Sequence, residues 1–114
     1  LENPGAAQPL RFQLTARQCT AREIVLEIDQ YKEVTLPVTL QPGQNLVHAG
    51  DGKLTVFSES WEKIEEVMVP ELAQALDRGP HTLTLDATLE AAGEEPYLKM
   101  ECRLVVGEEV VTLP

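Results

Sequence analysis

Ser58-Glu59-Ser60-Trp61-Glu62-Lys63-Ile64-Glu65-Glu66-Val67-Met68-Val69-Pro70 is the stretch on which the fold class turns. Trp61, Ile64 and Met68 fall at i, i+3 and i+7, a helical spacing. Val67 and Val69, however, share one face of an extended chain, and the run ends against Pro70. We read a turn around Glu59 to Glu62, then a strand from about Lys63 to Val69. Pro70 suits the first position of one short helix near 70–77, with Leu72 and Leu76 facing inward. A helix through 58–69 would make the protein α+β; a strand leaves it all-β.

On both sides of this stretch the dominant pattern has period two, the spacing of a half-buried strand. Leu10, Phe12, Leu14 and Ala16 alternate with polar neighbours, as do Ile24, Leu26 and Ile28. Val34, Leu36, Val38 and Leu40 repeat the pattern, with Pro37 placing that strand at a sheet edge or bulge, since proline donates no ladder hydrogen bond. Gln41-Pro42-Gly43-Gln44 reads as a type II turn, and Gly50-Asp51-Gly52-Lys53 as a tight hairpin turn between Asn45–Ala49 and the strand that begins at Leu54. Leu83, Leu85, Ala87 and Leu89 form the cleanest alternation. It is followed after Ala91–Pro96 by Leu98, Met100, Cys102, Leu104 and Val106, and the two runs are expected to pair as an antiparallel hairpin. About eight strands separated by turns predict an all-β, antiparallel two-sheet sandwich of jelly-roll or immunoglobulin-like type. The expected organisation is a linker or tail over 1–9, the sandwich over 10–108 and a tail over 109–114. The Pro-, Gly- and Asn-containing start reads as a tether to a preceding domain.

A chain of 114 residues holds one core. Its formal net charge of −10, with only nine Lys and Arg scattered singly, argues against nucleic acid and anionic membranes as partners. No apolar run approaches the roughly 20 residues that a membrane-spanning helix needs. Two cysteines, Cys19 and Cys102, permit one disulfide but no structural zinc site, and two buried free thiols are the expected state.

Groups that could support chemistry are sparse. Ser58 and Ser60 are the only serines, and neither sits in a Gly-x-Ser-x-Gly elbow. His48 and His81 lack a metal-ligating neighbour at i+2 or i+4. The adjacent pairs Glu65-Glu66, Glu94-Glu95 and Glu108-Glu109 are poorly arranged for paired-carboxylate catalysis, because strand neighbours point to opposite faces. Asp51-Gly52 is explained by turn dihedrals alone rather than by calcium. No catalytic residue, metal site or cofactor is expected. Trp61, beside a turn, is a candidate stacking platform for a sugar ring, joined by Tyr97 on the polar side of its strand; Tyr31 is a weaker candidate.

Three segments carry a resemblance. They are Leu36-Pro37-Val38-Thr39-Leu40-Gln41-Pro42-Gly43-Gln44-Asn45-Leu46-Val47; Lys53-Leu54-Thr55-Val56-Phe57 with Trp61 and Glu66-Val67-Met68-Val69; and Gly79-Pro80-His81-Thr82-Leu83-Thr84-Leu85. Over roughly Ala21 to Val106 the layout resembles the non-catalytic β-sandwich accessory modules of large secreted bacterial glycoside hydrolases. That resemblance implies a secreted, periplasmic or cell-surface setting, and a partner in the adjacent domain of the same polypeptide. The expected function is to brace that neighbour; the alternative is a carbohydrate-binding module in which Trp61 and Tyr97 hold a polysaccharide.

Overall fold

The computed structural model describes the backbone of residues 2–3, 7–30, 32–104 and 107–113, and the side chains of 7–30 and 32–99. Tyr31 and the Cys102 side chain lie outside these residues. The described strands are β1 (Glu2–Asn3), β2 (Gln8–Pro9), β3 (Arg11–Arg17), β4 (Cys19–Ile28), β5 (Lys32–Leu36), β6 (Asn45–His48), β7 (Lys53–Phe57), β8 (Lys63–Met68), β9 (Ala75–Leu76), β10 (Gly79–Pro80), β11 (Leu83–Ala91), β12 (Tyr97–Leu104) and β13 (Gly107–Leu113). Every pairing between them is antiparallel. A six-stranded sheet runs β13-β12-β3-β6-β7-β8 and a three-stranded sheet runs β11-β4-β5; β1 pairs with β10 and β2 with β9. The protein is therefore mostly antiparallel β-structure. The decisive stretch 58–70 is a turn and a strand, as its Val67/Val69 pattern required.

Alternation does the folding. In β3 the side chains of Phe12, Leu14 and Ala16 are buried, and in β7 those of Leu54 and Val56. They meet Ile24, Leu26, Val34 and Leu36 from β4 and β5 in one hydrophobic cluster that draws on both main sheets. In β4, Cys19 and Ala21 are buried at odd positions, whereas Ile24, Leu26 and Ile28 are buried at even ones. An alternating strand can hold both sets inward only if one residue is inserted between them. Glu23 provides that insertion: its φ is 52°, and the β4–β11 register slips there, from Val25↔Asp86 to Arg22↔Thr88.

Several expectations need correction. The run from Leu83 and the run from Leu98 do not pair with each other: β11 pairs with β4, and β12 with β3 and β13. Two crossings between sheets meet at one corner instead. The chain leaves β3 for β4 through Gln18, whose φ is 52°, and leaves β11 for β12 through residues 92–96. Gln18 joins the two crossings, its carbonyl accepting the Ala92 N–H at 2.7 Å and its side-chain oxygen the Glu95 N–H at 3.1 Å.

The helix expected near 70–77 is only a 3₁₀ turn, Pro70–Ala73. No side chain caps its start, and Gln74 is already extended, because Ala75 and Leu76 pair with Pro9 and Gln8. Leu72 and Leu76 are nevertheless buried as expected. The strand expected to reach Leu40 stops at Leu36, where Pro37 is bypassed by a Val38 N–H to Leu36 carbonyl bond of 2.8 Å. Leu40 rejoins β4 through a single bridge to Ala21. Short strands lie within 1–9, and β13 extends to Leu113 across residues expected to form a tail.

Candidate functional site

Strand β8 ends the six-stranded sheet; it pairs with β7, and among the described residues no strand lies beyond it. Its register with β7 slips between Val56↔Glu65 and Phe57↔Lys63, so Ile64 is an inserted residue. Val67, opposite Leu54, packs against the core, whereas Ile64 and Met68 are 50% and 59% exposed. Glu66 is neutralised on the outer face of the sheet: Lys63 Nζ lies 2.5 Å and Lys53 Nζ 3.6 Å from its carboxylate. The hydrogen bond from Lys63, outweighing the opposing effect of burial and aided by the charge of Lys53, holds the Glu66 carboxyl below the usual range.

Trp61 stands at the entry to this strand. The Trp61 N–H donates to the Ser58 carbonyl at 2.9 Å, and the Ser58 N–H to the Glu62 carbonyl at 2.8 Å. The Ser58 hydroxyl accepts the Glu62 N–H at 3.1 Å. This is a three-residue hairpin loop, Glu59-Ser60-Trp61, whose last position takes the left-handed conformation that normally favours glycine. Trp61 occupies it with φ 66° and remains 52% exposed. Its ring lies 5.5 Å from that of Phe57, tilted by 48°.

The structure places Tyr97 on the same face and at the same end of the six-stranded sheet, but not beside Trp61. Register runs Lys99↔Thr15↔Asn45↔Phe57, with Tyr97 opposite Arg17. Strands β12 and β7 are thus three strand spacings apart, roughly 14 Å. Between them the polar groups are bonded to one another. The Thr15 hydroxyl donates to Asn45 Oδ1 at 2.8 Å, the Asn45 amide to the Ser58 carbonyl at 3.4 Å, and the Gln13 amide to Thr15 Oγ1 at 3.4 Å.

An open groove of about 440 Å³ lies on the other side of β8, lined by Glu65, Glu23 and Thr35–Thr39. It separates the edge of the six-stranded sheet from the edge formed by β5 and its continuation. Among the described residues neither Glu65 nor Glu23 forms an ion pair; Glu23 accepts the Thr88 hydroxyl at 2.7 Å. This groove was not legible in the sequence, because its two carboxylates are 42 positions apart and sit on different sheets.

The remaining reactive side chains are committed to the fold. His48 is buried; its Nδ1 lies 2.6 Å from the Leu10 carbonyl, and its Nε2 accepts the Gly52 N–H at 3.0 Å. That pair of partners fixes the neutral Nδ1–H tautomer, and burial pushes the imidazole below its ordinary pKa. His81 is the opposite case. Both ring nitrogens face acceptors, Nε2 the Asp77 carbonyl at 2.6 Å and Nδ1 the Asp29 carboxylate at 2.7 Å, which selects the imidazolium. The Asp77 carbonyl, aided by Asp29 and resisted by burial, raises its pKa. The buried Cys19 thiol donates to the Tyr97 carbonyl at 3.4 Å, and burial raises its pKa. Among the described residues no group of three or more His, Cys, Asp or Glu could hold a metal ion, and no helix is long and apolar enough to cross a membrane.

Comparison with known proteins finds no matching family model and no significant match to a curated protein or a solved structure.

Proposed function

We propose that this chain is a non-catalytic β-sandwich accessory domain that braces a neighbouring domain through β8 and its leading turn. One observation carries the reading. Among the described residues the large hydrophobic side chains left at least half exposed are Trp61, Ile64 and Met68, and all three lie on this one element. Apolar exposure gathered at a sheet edge, rather than scattered singly, is the mark of a surface that meets a partner. The rest of the proposal rests on the resemblance of the three sequence segments: the neighbour belongs to the same polypeptide, a secreted or periplasmic carbohydrate-active enzyme. Substituting Met68→Glu in that larger polypeptide tests the docking. The isolated domain should melt as before, whereas the stabilisation that the neighbour confers should fall. Equal melting of the larger polypeptide with and without the substitution would refute the assignment.

A carbohydrate-binding module is the second reading, favoured by the exposed Trp61 ring, which packs at a tilt against Phe57, and by Tyr97 on the same sheet face. A polysaccharide would have to cross at least the three strand spacings from β12 to β7, roughly 14 Å, over Thr15 and Asn45, whose polar groups already satisfy each other. Titration with a panel of polysaccharides, read by Trp61 fluorescence, separates the two. Saturable binding that vanishes in a folded Trp61→Ala variant would establish the module reading.

A further inference from the structure

We propose that the partner meets β8 as an extended segment that adds a strand to its free edge and carries basic side chains into the groove beside Glu65 and Glu23. The proposal deepens the bracing assignment and rests on it.

An edge strand offers a row of unused N–H and C=O groups, and an added strand satisfies them while its alternate side chains enter the flanking pockets. The inserted Ile64 interrupts the ladder near the start of β8, leaving Glu65 to Met68 as the regular run. Side chains of an added strand on one side of this run would meet Met68, beside Glu66 with its two lysines. On the other side they would meet the groove, where Pro37 is the exposed apolar residue, between the exposed Thr35 and Thr39. The two carboxylates of the groove lack a cationic partner among the described residues, unlike Glu66. The protein itself, at a net charge of −10, adds a field of the same sign. A Lys or Arg on a segment with apolar alternate positions is the complement of this groove.

Charge also argues against a second copy of the chain as the occupant. Two β8 strands paired antiparallel about a two-fold axis at their middle would set Glu65 opposite Glu65 of the other copy, or Glu66 opposite Glu66, and like charges directly opposed destabilise a pair.

A ten-residue peptide alternating Lys and Val, with a Glu/Val peptide as its counterpart, probes the site on the whole chain. The Lys/Val peptide should bind at least tenfold more tightly at low salt and should slow hydrogen exchange at the β8 amides that face away from β7. Glu65→Lys should abolish most of that preference, whereas Glu94→Lys, an equal change of net charge in an exposed turn, should leave it nearly intact. Equal loss in the two variants would show attraction to net charge alone and overturn the proposal. So would binding without protection of β8 amides, or dimerisation through β8 in sedimentation. Failure here with Met68→Glu still disrupting the larger polypeptide would remove the added strand and leave the bracing role standing.

Discussion

The two ends of strand β7 solve the same geometric problem with opposite chemistry. At its start, Gly50 and Gly52 take positive φ, and Gly52 lies buried against the Val69 carbonyl, its N–H satisfied by His48. The Gly52 carbonyl in turn accepts the Val69 N–H at 2.7 Å, so both backbone polar groups of this buried glycine are bonded. At the far end the left-handed position is held by Trp61, half exposed, in a turn closed by Ser58. A bulky residue with positive φ is strained by about 1–2 kcal/mol relative to glycine. The first turn is built for stability. The second bears a strain that folding alone gives no reason to keep, which is what a contact surface at that place would explain.

The contrast breaks most easily at its buried end. His48→Ala should destabilise the protein by about 3 kcal/mol or more, because it opens a cavity and orphans both the Leu10 carbonyl and the Gly52 N–H. Chemical denaturation would show it, and a change under about 1 kcal/mol would mean that this turn is not the anchor described. Gly52→Ala should lower stability by about 2 kcal/mol through its φ of 82°. The new Cβ would also press on the Val69 carbonyl at 3.2 Å.

At the exposed end a difference between variants is more telling than either alone. Trp61→Gly and Trp61→Ala both lose the tilted ring contact with Phe57, but only alanine keeps the left-handed strain. The glycine variant should therefore be the more stable by about 1 kcal/mol. Equal stabilities would remove the strain from the account.

Much of this was readable from the residues, for physical reasons that also mark where reading failed. Period-two burial in β3, β7 and β11 is local, so Phe12, Leu54 and Leu85 declared their face directly. The Val67/Val69 pattern, together with Pro70, separated strand from helix in β8. Partner choice is not local: β11 and β12 follow one another as a hairpin would, yet the corner at Gln18 sends them to different sheets. Gln18, Glu23 and Trp61 all adopt positive φ without being glycine, so turn chemistry gave no warning of the corner, the bulge or the strain. Trp61 was legible as a candidate from its place beside a turn. Ile64 looked like half of a helical stripe, and only the inserted position in β8 shows why it is exposed. The helix at 70–77 failed because the pairing of Ala75 and Leu76 with β2 outcompetes the next helical turn.

The smallest expected effect is the pH profile, which compares His48 with His81. The His48 pKa is lowered in the folded state, so stability is lost as pH falls from the unfolded histidine value, about 6.5, towards the folded one. The His81 pKa is raised, so its contribution is complete below about 6.5 and is lost as pH rises through the higher folded value. The histidine contributions together should peak near pH 6.5. His81→Asn should remove the decline on the alkaline side and leave the acidic side unchanged; an unaltered alkaline side would assign that decline to other groups.

Radical footprinting of Trp61 and Met68, compared between the isolated domain and the larger polypeptide, tests the docking surface most directly. The account predicts that both side chains are oxidised readily in the isolated domain and are protected together when the neighbour is present. Undiminished oxidation of both in the larger polypeptide would contradict it.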